Sequence, residues 1–139
     1  MRVLAVLVLV VALVIGIVPQ HTDCESQGRS LTLADGREIP MKCHWTARAE
    51  WTVAIPLFAT GALMLFVRRK ETLAALGVVV VVLGVLAILL PTILIGVCGS
   101  PDMVCNSTMR PLLILMGSLA ALVGVVVAVI SLLRKDVVA

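Results

Sequence analysis

The sequence predicts an all-α membrane protein: a four-transmembrane-helix up-down bundle with a small disulfide-stabilised extracytoplasmic cap. Three observations predict it. Four long apolar runs fill most of the 139 residues. Basic residues gather in the short connections on one side of those runs. All four cysteines, Cys24, Cys43, Cys98 and Cys105, fall in the two stretches too polar to sit in lipid.

The chain is 61% hydrophobic and 14% charged. Soluble domains carry about 45–50% apolar and about 25% charged residues, so composition alone places it in the membrane class. A spanning helix needs about 20 apolar residues to cross about 30 Å of hydrocarbon. The apolar runs are Val3–Val18, Trp51–Val67, Leu73–Val97 and Pro111–Leu133. With their flanks they predict one domain over 1–139, with helices at about 3–18, 47–67, 73–97 and 110–133. The outer loops are then 19–46 and 98–109.

None of the four runs contains an ionisable residue. Proton relays, voltage sensors and ion pathways need such groups at membrane depth, which argues against those functions. Trp45 and Trp51 stand where the second helix enters the headgroups and suit interfacial anchoring.

Charge sets the expected orientation. One side carries Arg2, Arg68, Arg69, Lys70, Arg134 and Lys135, with Glu71 and Asp136. The other carries Arg29, Arg37, Lys42, Arg48 and Arg110, with Asp23, Glu25, Asp35, Glu38, Glu50 and Asp102. The first side is compact and net positive, and the second is long and net negative. The positive-inside rule then predicts an inner (cytoplasmic) membrane protein with both termini cytoplasmic and both cysteine loops outside. The inner charge is topogenic, and no nucleic-acid partner is implied. Gly16-Ile17-Val18-Pro19 makes a poor cleavage site, so the first helix is expected to be retained.

The short turn Arg68-Arg69-Lys70-Glu71-Thr72 makes helices 2 and 3 a hairpin. Lipid gives no hydrophobic drive between helices, so they pack through small residues. Ala54, Ala59, Gly61 and Ala62 on helix 2, Gly77 and Gly84 on helix 3, and Gly117, Ala120, Ala121 and Gly124 on helix 4 are the candidates. Intramolecular bundling is the expected use, with homo-oligomerisation as the alternative. Pro56 and Pro91 predict kinks toward the outer half. Leu31-Thr32-Leu33 and Glu38-Ile39-Pro40-Met41 flank an Asp35-Gly36 turn and predict a short hairpin. Thr46 is a candidate cap for helix 2.

An even cysteine count on the oxidising side of a membrane predicts two structural disulfides among Cys24, Cys43, Cys98 and Cys105. All three connectivities stay open. A second reading is thiol–disulfide exchange. The four spans resemble, in outline, the quinone-linked disulfide-forming membrane oxidases, but no close Cys-x-x-Cys pair is present. A third reading is binding of copper, zinc or haem. Its candidate ligands are His21, Cys43, His44 and Met103, since thiolate, thioether and imidazole suit soft or borderline metals.

There is no glycine-rich phosphate loop, nucleophile–base pair or paired carboxylate. A non-enzymatic role without a cofactor is therefore expected. Its partners would be the lipid bilayer and a membrane protein of a larger complex. The recognition surface would be the outer cap around Cys43, His44, Trp45 and Glu50.

Two blocks are more specific. The run Met41-Lys42-Cys43-His44-Trp45-Thr46-Ala47-Arg48-Ala49-Glu50 is one. Pro91-Thr92-Ile93-Leu94-Ile95-Gly96-Val97-Cys98, followed by Cys105, is the other. Together they resemble a family of small prokaryotic membrane proteins called domain of unknown function 4418. The resemblance runs from about Cys24 into helix 4. It implies four spans in a bacterial or archaeal membrane and no particular activity. The company such proteins keep with ABC-type export permeases implies an accessory subunit.

Overall fold

The computed structural model describes residues 1–133. Arg134, Lys135 and Asp136, which the charge argument counted on the cytoplasmic side, lie outside the described residues. Helix α1 (Arg2–Thr22) leads to a two-stranded antiparallel hairpin, β1 (Leu31–Thr32) and β2 (Glu38–Ile39). Helices α2 (Lys42–Phe66) and α3 (Lys70–Leu89) follow. A π-helical turn (Leu90–Leu94) ends α3, and a second (Cys105–Met109) opens α4 (Arg110–Leu133). Among the described residues, four helical segments are long and apolar enough to cross a membrane.

Helix ends depart from the expected ones where apolarity was the only guide. Helix α1 continues through Pro19 to Thr22, which shortens the first loop. Helix α2 starts at Lys42 instead of 47, because Met41 is extended and no glycine or proline follows until Pro56. Cys43, His44, Trp45 and Thr46 are therefore helical, and Thr46 is not a cap. Helix α3 leaves α geometry at Leu89, short of the expected 97. Pro91 lacks an amide hydrogen, so the pattern shifts. The Ile95 and Gly96 amides both donate to Leu90 O, at 3.1 and 3.0 Å. Gly96 then takes φ +80°, a conformation that favours glycine.

The hairpin forms as the Asp-Gly turn predicts. Leu31 pairs with Ile39 and Thr32 with Glu38, with Gly36 at φ +83°. Every residue from Leu31 to Pro40 is exposed.

Helix α1 packs mainly on α2, and α3 mainly on α4. The second pair is the closer. A Cβ placed on Gly84 would lie 2.7 Å from Gly117 O, and one on Gly124 would lie 2.6 Å from Gly77 O. The expected small-residue stripe thus serves an intramolecular seam, with Gly77 against Gly124 and Gly84 against Gly117. Residue numbers rise along one helix as they fall along the other. Gly16 against Ala54, and Gly61 against Leu9, show the same relation for α1 and α2. Large apolar residues such as Val78, Val82, Leu115 and Leu122 face outward, as lipid contact requires.

Candidate functional site

The four cysteines come from four separate chain segments and meet at one end of the helices. Cys24 follows the last turn of α1, and Cys43 is the second residue of α2. Cys98 follows the π-turn after α3, and Cys105 begins the π-turn that leads into α4. Two hydrogen bonds place these ends. Gln20 Nε2 donates to Ala47 O at 2.5 Å and ties the end of α1 to α2. Thr46 Oγ1 donates to Gly96 O at 2.6 Å and fixes the strand of chain that delivers Cys98 two residues later.

Cys24 and Cys43 form a disulfide, closing a sequence separation of 19. Cys98 and Cys105 are free thiols. This corrects the expectation of two disulfides. The second pair does not stand apart as a bonded unit; both thiols lean on the existing bond instead. Cys98 Sγ lies 3.3 Å from Cys43 Sγ and 3.5 Å from Cys24 Sγ. Cys105 Sγ lies 3.4 Å from Cys24 Sγ. All four sulfurs fall within 4.8 Å of one another. Met41 Sδ accepts from the Cys98 thiol at 3.8 Å. Cys24, Cys43 and Cys105 are buried, and Cys98 is half-buried.

A second cluster flanks the first. His44 Nδ1 lies 3.2 Å from Asp23 Oδ2 and 2.5 Å from Glu25 Oε2. The Cys24–Cys43 bond explains this placement, because Asp23 and Glu25 bracket one half-cystine and His44 follows the other. Asp23 is further held by a turn in which its Oδ1 accepts from the Ser26 amide at 2.9 Å. A small cavity of about 30 Å3 reaches the centre from solvent. Cys24, Cys105, Met103 and the polar side chains of Asp23, Arg29 and Asp102 line it.

Several predicted residues are placed otherwise. His21 is exposed on the last turn of α1 and outside both clusters, so it does not join the metal candidates. Met103 lines the cavity. Of the expected recognition surface, Trp45 is exposed, but Cys43 and Glu50 are fully buried and His44 is mostly covered. Glu50 follows Cys43 by seven residues, and Cys43, Ala47, Glu50, Ala54 and Leu57 form one buried face of α2. A spacing of seven returns a helix to the same side, which turns Glu50 inward. Among the described residues, neither Glu50 carboxyl oxygen has a hydrogen-bond partner. The sequence reading missed the convergence of all four sulfurs and the roles of Asp23 and Glu25 around His44. The available signal was adjacency: charged residues sit immediately beside both members of one disulfide.

No curated protein and no solved structure matches this chain. The model of the family described as domain of unknown function (DUF4418) matches residues 1–133, and the chain belongs to that family.

Proposed function

We propose that this chain carries a redox-active sulfur centre at the extracytoplasmic mouth of an up-down four-helix bundle. It would exchange its disulfide with a dithiol protein on the outer side of a bacterial cytoplasmic membrane. The observation that carries the reading is the packing of two free thiols against both sulfurs of the Cys24–Cys43 bond.

Disulfides exchange by attack of a thiolate on one sulfur of the bond. Attack runs in line with the bond, and Cys98 Sγ rests beside it, 3.3 Å from Cys43 Sγ and 3.5 Å from Cys24 Sγ, so its side chain must swing to the far side of Cys43 Sγ to react. The Cys98 thiolate attacks Cys43 Sγ, the Cys43–Cys98 bond forms, and Cys24 leaves as a thiolate. Cys105 then attacks Cys98 Sγ, the Cys98–Cys105 bond forms, and Cys43 leaves. Electrons balance without an external oxidant, because the disulfide only moves. With an outer dithiol partner, the partner's two thiols become its disulfide. Their two protons and two electrons convert the chain's disulfide to two thiols.

Charge placement supports the orientation. Arg2 and Arg68 line one cavity at a shared end of the helices, and the basic turn into Lys70 follows directly. That end would face the cytoplasm under the positive-inside rule. A glutathione redox titration of the purified full chain, read by alkylation and intact mass, tests the reading. The fraction of free Cys24 and Cys43 should follow the buffer ratio. A Cys24–Cys43 bond unchanged across the whole range, in a folded chain, would sink it.

A second reading, an accessory subunit of a larger membrane complex such as an ABC-type exporter, draws on the hairpin. Leu31, Leu33 and Ile39 are exposed on an arm that projects from the cap. Apolar residues displayed together in a polar loop suit a protein partner. Affinity purification from native membranes tests it, comparing the natural chain with Leu31→Ser/Ile39→Ser. Absence of any stoichiometric partner would exclude this role.

A further inference from the structure

We infer that the same four sulfurs, once the Cys24–Cys43 bond is reduced, hold one zinc-class divalent cation. The inference rests on the proposed function only in requiring that this bond be reducible. Zinc thiolate bonds of about 2.3 Å in a tetrahedron require sulfur–sulfur edges of about 3.8 Å. Three of the edges here are 3.3, 3.4 and 3.5 Å, and no pair of sulfurs exceeds 4.8 Å. Expansion by a few tenths of an ångström, with release of the one bonded pair, reaches that tetrahedron.

The donor set selects the metal. Four thiolates in tetrahedral array suit zinc or iron–sulfur chemistry and disfavour magnesium, calcium and manganese. Four protein ligands leave no open position, which is the pattern of a structural zinc site. The sulfurs are largely withdrawn from water, with Cys24 at 3%, Cys43 at 0% and Cys105 at 1% exposure. A dication with four thiolates carries net charge −2. Two helix starts meet that charge: Cys43 lies in the first turn of α2, and Cys105 opens the helical segment Cys105–Leu133. The N-terminal end of a helix carries partial positive charge and favours an anion. The Met41 thioether beside Cys98 adds a soft neighbour outside the four ligands.

The chemistry balances in two steps. An outer dithiol reductant gives two electrons and two protons to the Cys24–Cys43 bond and becomes a disulfide. The four resulting thiols then bind the cation and release four protons. The metal-bound centre resists thiol exchange, because every sulfur is occupied. The oxidised centre cannot hold the metal, because two of the sulfurs are spent in a bond. One site thus has two exclusive states, set by the redox poise and the zinc level outside the membrane.

The test uses the full chain in lipid nanodiscs, reduced with a phosphine under argon and freed of reductant. Zinc alone, and cobalt alone, are added. The expected result is one ion per chain, with thiolate-to-cobalt charge-transfer bands and the d–d absorption of a tetrahedral site. Cys98→Ser and Cys105→Ser should each weaken binding roughly 100-fold or more, since even the loss of an outer-shell partner costs about 10–100-fold. His21→Ala should leave binding unchanged. Four titratable thiols with no stoichiometric metal in the natural chain would overturn the inference, and would leave thiol exchange standing. Stoichiometric zinc on a chain whose disulfide ignores glutathione buffers would do the reverse.

Discussion

Cys98 Sγ lies 3.3 Å from Cys43 Sγ, across 55 residues of sequence. A free thiol is thereby held against a disulfide sulfur. The contact is made by the Pro91 break and the Gly96 turn, which redirect the chain as it leaves α3 and bring Cys98 over the first turn of α2.

That contact predicts disulfide migration. Incubated with a trace of small-molecule thiol, the natural chain should populate Cys43–Cys98 and Cys98–Cys105 species alongside Cys24–Cys43. Cys98→Ser should lose both Cys98-containing species, with Cys24–Cys105 exchange as the one route left among these sulfurs. Peptide mapping without reductant distinguishes them. Migration at natural levels in Cys98→Ser would remove Cys98 from the attacking role.

Thr46 positions the centre from one helical turn away. Thr46→Val keeps the shape but leaves the Gly96 carbonyl without its hydroxyl donor. Gly96 is half-buried, so the loss is nearer that of one ordinary hydrogen bond, about 0.5–1.5 kcal/mol. Thermal unfolding in detergent should show that loss. Thr46→Ser should restore most of the stability and return Cys98 to its natural alkylation rate.

The α3–α4 seam predicts a graded glycine series. Alanine at Gly84 or Gly117 places a Cβ 2.6–2.7 Å from backbone oxygen, so the helices must move apart. Overpacking of this kind costs about 1–3 kcal/mol. Gly99→Ala meets nothing within 4 Å and should be neutral. Denaturant unfolding of the three variants should give that order; equal effects would mean that the seam does not set stability.

Glu50 predicts a substitution that does not harm the fold. Its carboxyl is buried with both oxygens unpartnered, so Glu50→Gln removes no hydrogen bond and replaces an ionisable group with a neutral one. A buried group that could carry charge without a partner is costly. The variant should therefore be as stable as the natural chain or more so. A loss above about 2 kcal/mol, comparable to stripping a charged group of its partner, would show that Glu50 holds a cation or a proton donor in the membrane.

Much of the architecture was legible in the sequence, for reasons that follow from the bilayer. Four runs without ionisable residues must be helices, because backbone groups in lipid have no other partners. The Asp35-Gly36 turn and the packing glycines also declared themselves locally. Helix ends did not. Apolarity marks where lipid contact stops, whereas helix continues through polar residues such as Lys42, His44 and Thr46 in α2 and Gln20 to Thr22 in α1 until an extended residue bounds it. Glu50 showed the same limit: next to an apolar run it reads as a headgroup-level charge, but its seven-residue offset from Cys43 turns it inward.

The sequence by itself determined the class of this protein, its four helices and the confinement of its sulfur to two polar stretches, because those depend on composition and local order. Only the tertiary structure decided which cysteines bond, that the other two lean on that bond, and that His44 meets Asp23 and Glu25. Those relations join residues 19 to 81 positions apart. They depend on how proline breaks and interhelical hydrogen bonds aim the ends of packed helices, and no local pattern encodes that direction.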